Sequence, residues 1–260
     1  MDVFLDSETV ATREDRQLVD VRDSWEFDGI GHLPGAVSIP FDEFRSADDT
    51  AAAGMLPSPD RWGELLSAAG VERGDPLVAY DDTHGVFAAR FVVTALAYGH
   101  DPSQLFLLDG DYSAWSRERP VSREAVDPAS TSYEPTRTAD PFVDFEEVQA
   151  AIDDDEVVLV DTREPAEYEA GHIPGAVQLD WRELVDTDGT RGLRPRAELE
   201  ATLADHGITP DHRVVLYCNT ARRISHTYLV CRQLSYDRVG FYEGSLTEWR
   251  ERGGPVDAGC

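Results

Sequence analysis

The sequence predicts an α/β protein built from two tandem domains, each a mainly parallel sheet flanked by helices. Three observations lead to this prediction. The two halves of the chain repeat each other, short β-branched runs alternate with helical stretches within each half, and 260 residues suffice for two domains of ordinary size. Strands that alternate with helices indicate a parallel sheet covered on both faces.

The repeat is carried by three segments of the first half that recur in the second. They are Leu18–Arg22 with Leu159–Arg163, Gly31–Val37 with Gly171–Val177, and Leu77–Tyr80 with Val214–Tyr217. A closing glycine and tryptophan, five residues apart, also recur, as Gly110 with Trp115 and as Gly244 with Trp249. The order of the segments is kept while their spacing drifts slightly, as expected of a duplicated domain.

Hydrophobic patterning places the elements in order along the chain. Predicted strands are 17–21, 36–39, 77–80 and 105–108, then 157–160, 176–179, 213–217 and 238–242. Predicted helices are 60–69, 85–98 and 112–117, then 144–152, 195–206, 222–234 and 246–251. The polar stretch 120–141 contains four prolines and is predicted to be an extended linker between domains 1–119 and 142–260.

Composition limits the possible partners and compartments. The chain has 51 acidic and 23 basic residues and a net charge of −28. It contains no lysine, so every one of these basic residues is arginine. Scattered acidity of this kind indicates adaptation to a salt-rich cytoplasm, as in a haloarchaeon, and argues against nucleic-acid binding. No signal peptide, membrane span or disulfide framework is apparent, so we expect a soluble cytoplasmic monomer without cofactor or metal.

The best candidate for chemistry is the segment Cys218–Arg223, which follows an apolar strand and precedes a helix. The backbone N–H groups of Asn219, Thr220 and Ala221 can converge there on an anion, and the helix N-terminus adds positive charge. A cysteine in such a cradle is expected to be a reactive thiolate, with Arg222 and Arg223 at the rim. The alternative is a buried cysteine that serves only as a small core side chain.

Together, the paired Leu-Val-Asp-x-Arg and Gly-His-(Leu/Ile)-Pro-Gly-Ala segments and the single cysteine loop resemble the tandem-domain rhodanese family of sulfurtransferases. The resemblance covers nearly the whole chain, although Glu243 and Leu246 depart from the usual closing motif. It implies a persulfide on Cys218 and an inactive first domain, in which Asp81 occupies the cysteine position. The implied partners are a small anionic sulfur donor and a thiophilic acceptor such as cyanide or a thiol.

The resemblance also implies that Arg163 binds the donor, with Arg222 and Arg223 as further candidates. A structural ion pair is the alternative for Arg163, since Arg22 matches it in the inactive half. Glu167 stands where relatives specific for mercaptopyruvate place a second arginine, which favours thiosulfate as the donor. A 3-mercaptopyruvate sulfurtransferase and a persulfide carrier for cofactor or tRNA thiolation remain the alternatives.

Other reactive side chains are predicted to be structural. The matched residues His32 and His172 are expected to serve turns, Cys231 to pack in the core, and Cys260 to be a mobile terminus. His226 lies too far along the active helix to be an obvious base.

A phosphatase is a further alternative, because it also uses a cysteine in a loop of backbone amides with an arginine. A phosphatase loop would carry its arginine six positions after the cysteine, whereas Arg223 is five positions after Cys218, so the spacing disfavours this alternative.

Overall fold

The computed structural model describes residues 2–13, 15–46, 55–138 and 140–259, which form two compact units. The first unit contains Leu56–Thr138 with the residues before position 47, and the second contains most of the residues from 140 onward. Thr187–Gly192 belongs to the first unit although it lies in the second half of the sequence. The domain boundaries 1–119, 120–141 and 142–260 stay a prediction.

The first unit has a five-stranded, wholly parallel sheet with strand order β1-β5-β4-β2-β3. The strands are β1 Phe4–Leu5, β2 Gln17–Asp20, β3 Val37–Ser38, β4 Leu77–Tyr80 and β5 Leu105–Leu108. The helices are α1 Ser7–Thr12, α2 Pro59–Ala68, α3 Val86–Ala97 and α4 Tyr112–Glu118, with a π-helical turn at Glu26–Ile30 and 3-10 turns at Phe41–Phe44 and Pro102–Gln104.

The second unit repeats this topology, with strand order β6-β10-β9-β7-β8 and parallel pairing throughout. Its strands are β6 Phe142–Val143, β7 Val157–Asp161, β8 Val177–Gln178, β9 Arg213–Tyr217 and β10 Val239–Tyr242. Its helices are α5 Phe145–Ala151, α6 Pro165–Glu169, α7 Arg196–Asp205, α8 Arg222–Gln233 and α9 Ser245–Glu251, with a 3-10 turn at Trp181–Leu184. The predicted α/β fold is therefore confirmed.

The central strands are continuous apolar runs in the sequence because both of their faces are buried. Strand β9 pairs with β10 on one side and β7 on the other, and Val214–Tyr217 is buried. A central parallel strand has both faces covered, so alternation with polar residues is lost. The arrangement carries the chain to Cys218 at the carboxyl edge of the sheet, where ligands of such sheets bind.

The segment after α4 has no helix or strand within residues 120–138, as expected of an extended connection. This segment packs along the surface of the first unit. Thr131 N donates to Ser67 O, Thr136 N donates to Tyr98 O, and Tyr133 is buried. None of the described helices combines the length and apolar character that crossing a membrane requires.

Candidate active site

The loop between β9 and α8 presents Cys218 at the end of the central strand. Cys218 is buried; its N–H donates to Ser245 Oγ at 3.2 Å, and its carbonyl oxygen accepts from Leu246 N at 2.9 Å. The first turn of α9 thus holds the cysteine backbone. Thr247 Oγ1 adds a hydrogen bond to the carbonyl oxygen of Asn219 at 2.8 Å.

Ala221 turns the chain into α8 with a left-handed backbone, at φ +61°. A non-glycine residue there costs on the order of 1–2 kcal/mol. The corresponding residue before α3 in the first unit is Gly85, with φ +83°. Both loops therefore enter their helix through a left-handed residue, which follows a second one, His84, in the first unit.

The matching loop of the first unit shows what such a turn can bind. The Asp81 carboxylate, at the cysteine position, accepts four backbone hydrogen bonds: Oδ1 from the N–H groups of Thr83 and Gly85 at 2.8 Å, and Oδ2 from those of Phe87 at 2.7 Å and Ala88 at 3.0 Å. Burial raises the pKa of Asp81 above its ordinary value, while the four amides oppose that rise. The loop and the first turn of α3 thus form a cradle for an anion.

Arg163 is buried and lies beside the active loop, but most of its guanidinium is already engaged. Nε and Nη2 bind the Asp161 carboxylate at 2.6–3.1 Å, and Nη2 also donates to Gly171 O at 2.8 Å. Only Nη1 reaches the loop, at 3.4 Å from Asn219 Oδ1. A two-pronged contact from Arg163 to a sulfonate would therefore require breaking its pair with Asp161.

Arg22 repeats the structural part of this arrangement in the first unit. It binds Asp20 through Nε and Nη2 at 2.5–3.1 Å and donates to Gly31 O at 2.6 Å. Burial lowers the pKa of each arginine, but the neighbouring aspartate outweighs that effect and leaves the pKa raised. An ion pair that fixes the turn after the strand is thus common to both units.

Arg223 and Asn219 are joined by one carboxylate, that of Glu167 on α6. Glu167 Oε2 accepts from Arg223 Nη1 at 2.5 Å, and Oε1 accepts from Asn219 Nδ2 at 2.8 Å. Burial raises the pKa of Glu167, but the Arg223 charge and these hydrogen bonds dominate and hold that pKa below its ordinary value. The Glu167 carboxylate is therefore paired within the protein, and its effect on the choice of sulfur donor stays a prediction.

The remaining predicted site residues lie in the same loop. Thr220 and Ala221 continue the backbone turn, and Arg222 is the first residue of α8. Ser245 and Thr247, which hold the loop from α9, were not predicted. The recurring Gly-x4-Trp segment was the available signal, because it marks the turn before α9.

The other reactive residues have structural settings. His32 and His172 each place Nδ1 near a backbone carbonyl oxygen, that of Phe27 at 3.2 Å and that of Tyr168 at 2.9 Å. Cys231 is fully buried, and desolvation raises its pKa to about 12. His226 packs edge-on against Trp181 within the second unit. Cys260 lies outside the described residues.

Residues 2–13, 15–46, 55–138 and 140–259 contain no group of three or more His, Cys, Asp or Glu side chains arranged to hold an ion.

Comparison with known proteins identifies the family. The model of the rhodanese-like domain matches the chain twice, over residues 7–118 and 144–252. The chain belongs to the rhodanese family. Both matched regions carry the repeated Asp-x-Arg turn, and the second contains the Cys218 loop.

Relatives of this rhodanese include sulfurtransferases and a sulfur carrier. It is 33% identical over 229 residues to the thiosulfate sulfurtransferase of Pseudomonas aeruginosa, covering 84% of this chain and 82% of the relative. It is 32% identical over 247 residues to the sulfur carrier protein TtuD of Thermus thermophilus, with the same coverage. SseA of Escherichia coli, a 3-mercaptopyruvate sulfotransferase, shares the fold with a TM-score of 0.84 at 22% identity, over 94% of this chain and 99% of SseA.

One prediction separates the two possible roles of Arg163. We expect Arg163→Ala and Arg22→Ala each to lower the free energy of unfolding by about 3–5 kcal/mol, because each leaves a buried aspartate unpaired. Only Arg163→Ala should also lower kcat/KM for the sulfur donor, since only Arg163 faces the cysteine loop. Urea unfolding and steady-state kinetics of the folded variants test this. Equal kcat/KM for both variants and the wild type would leave Arg163 a purely structural ion pair.

Proposed function

We propose that this rhodanese is a thiosulfate sulfurtransferase that works through a persulfide on Cys218. The observation that carries the proposal is the Asp81 loop, where four backbone N–H groups hold an anion at the position that Cys218 has in the second unit. The left-handed residue directly before each helix, Gly85 or Ala221, supports a similar cradle around Cys218. An anionic sulfur would be stabilised there by amides and by the N-terminus of α8.

The proposed reaction has two displacement steps. The Cys218 thiolate attacks the outer sulfur of thiosulfate, the S–S bond of the donor breaks, and sulfite leaves with the bonding electron pair. A thiophilic acceptor, such as cyanide or a thiolate, then attacks the outer sulfur of the persulfide and regenerates the Cys218 thiolate. The loop amides stabilise negative charge on the cysteine sulfur before and after each step.

Donor recognition in this proposal depends on few cations. Asp161 holds the fork of Arg163, and Glu167 holds Arg223, so these two charges are largely compensated within the protein. The sulfonate of thiosulfate would then lie against the loop amides, with Nη1 of Arg163 and the guanidinium of Arg222, at the start of α8, as further candidate donors. A compact anion suits such a site better than a donor that needs a separate cation for a distant carboxylate.

We expect kcat/KM for thiosulfate to exceed that for 3-mercaptopyruvate by at least about tenfold, or 1.4 kcal/mol. The reason is that a carboxylate occupies the position where a second arginine would bind the carboxylate of mercaptopyruvate. Turnover with each donor, with cyanide as acceptor and under the same salt, measures the ratio. A preference for mercaptopyruvate would make the mercaptopyruvate enzyme the better assignment.

A sulfur carrier is the second candidate, and the 32% identity to TtuD favours it. A carrier would form the persulfide with a donor but pass the sulfur to a partner protein. Rapid persulfide formation with negligible turnover on cyanide and small thiols would support the carrier. Multiple turnovers with cyanide support the enzyme.

We also propose that the protein is a monomer of a salt-rich cytoplasm. With 51 acidic and 23 basic residues, self-repulsion in dilute buffer should destabilise the fold, and salt should screen it. We expect the melting temperature to rise steadily from dilute buffer to molar KCl. A melting temperature that is constant or falls over this range contradicts salt adaptation.

A further inference from the structure

Glu167 bridges the two ends of the cysteine loop. Its Oε1 accepts from Asn219, the residue directly after Cys218, and its Oε2 accepts from Arg223, the last residue of the loop motif. Thr247 fixes the Asn219 carbonyl oxygen from the other side. The loop that surrounds the cysteine is thus held between α6 and α9.

The first unit provides a comparison for this carboxylate. Glu26 has the same local position, because its Oε2 accepts from Asp23 N at 3.1 Å, as Glu167 Oε2 accepts from Glu164 N at 3.3 Å. Within the described residues, however, no hydrogen bond joins Glu26 to the loop that starts at Asp81. Of this matched pair, only the glutamate in the half with the cysteine binds the loop.

The two loops also differ in what holds them from inside. The Asp81 side chain ties four amides of its own loop together. A cysteine side chain is a weak acceptor and cannot replace those bonds while it is a thiol. The active loop therefore needs a support from outside, and Glu167 supplies hydrogen bonds to both of its ends.

We propose that Glu167 is a positioning residue that holds the cysteine loop in its cradle conformation and keeps Arg223 from serving as a donor-binding cation. This role rests on the proposed sulfur transfer through Cys218. It predicts that loss of Glu167 impairs the reaction of the cysteine rather than the binding of the donor.

The test uses the full-length protein and its Glu167→Ala and Glu167→Gln variants, with Glu26→Gln as the matched control. Persulfide formation from thiosulfate is followed in single turnovers, giving the maximal rate and the half-saturating concentration. We expect Glu167→Ala to lower the maximal rate about 10- to 100-fold, since it removes two hydrogen bonds that involve a charge. The half-saturating thiosulfate concentration should not rise, because the charge of Arg223 is released.

If Glu167→Ala does not fold, the conservative variant Glu167→Gln still tests the proposal. Glutamine retains an acceptor for one of the two loop partners without the negative charge, so Glu167→Gln should lie between Glu167→Ala and the wild type. Glu26→Gln should react at the wild-type rate, because the hydrogen bond at Glu26 is a local backbone cap. An unchanged maximal rate in both Glu167 variants, or a higher half-saturating concentration at an unchanged maximal rate, overturns the proposal.

A second readout separates this inference from the proposed function. Alkylation of Cys218 by iodoacetamide needs a thiolate but no sulfur donor, and trypsin isolates Cys218 in the peptide 214–222, apart from Cys231. Alkylation near neutral pH should differ at least about threefold between Glu167→Ala and Glu26→Gln, because loss of the Glu167 hydrogen bonds changes the loop that surrounds the buried sulfur. Absence of persulfide in the wild type would refute sulfur transfer, whereas equal alkylation rates would refute the positioning role.

Discussion

Replacing Cys218 with serine should abolish sulfur transfer while leaving the fold intact. Serine preserves the shape of the buried side chain and the backbone hydrogen bonds to Ser245 and Leu246. Its hydroxyl oxygen cannot form a persulfide, so no sulfur transfer through residue 218 can remain. Mass spectrometry of the tryptic peptide 214–222 after incubation with thiosulfate should show one added sulfur atom in the wild type and none in the variant.

The other cysteines provide the internal control for this experiment. Cys231 has a pKa raised to about 12 by burial and should be a thiol at neutral pH. Cys231→Ser should therefore form the persulfide on Cys218 as the wild type does. Added sulfur on the peptide that carries Cys231, or on the one that ends at Cys260, would show that the nucleophile has been misassigned.

Replacing Asp81 with alanine should be among the most destabilising changes in the first unit. The substitution removes the acceptor for four backbone N–H groups, of which those of Gly85 and Ala88 are in buried hydrogen bonds. An unsatisfied buried donor costs about 1–3 kcal/mol, so the two together predict a loss of about 2–6 kcal/mol. Urea unfolding at constant high salt measures the change.

Asp101→Ala is the matched control, since Asp101 accepts one exposed hydrogen bond, from Ser103 N at 2.8 Å. Its loss should cost only about 1 kcal/mol, as for other helix caps. Asp81→Asn should be intermediate, because an amide keeps one acceptor oxygen. If Asp81→Ala proves no more damaging than Asp101→Ala, the carboxylate does not support the loop.

The fold followed from the sequence because the repeat and the strand patterns agreed. Buried runs such as Val214–Tyr217 marked the central strands, and their order matched between the halves. The two-residue strands β3 and β8 were found because each overlaps a repeated segment, whereas the equally short β1 and β6 lie outside those segments and show no periodicity to detect. The short α6 escaped for the same reason, although Pro165 at its first position marks a helix start.

The position of the candidate nucleophile was predictable, but the electrostatics of its surroundings were not. Spacing placed Cys218 between a strand and a helix, and the repeat placed Asp81 opposite it. Sequence alone could not show that Glu167 pairs with Arg223, because 56 positions separate them and either charge could have faced a substrate. Nor could it show that Asp161 holds the fork of Arg163, a contact made clear only by side-chain geometry.

The left-handed backbone of Ala221 affects how the cysteine loop would respond when charge develops on the sulfur of Cys218. That backbone is uncommon for a residue with a Cβ, whereas Gly85 adopts a left-handed conformation freely in the Asp81 loop. Because alanine disfavours this conformation, it must be held by contacts around the loop, which come from Glu167, Ser245 and Thr247. Amides held in this way would need little reorientation as negative charge develops on the sulfur, which would keep the reorganisation energy of the proposed transfer low.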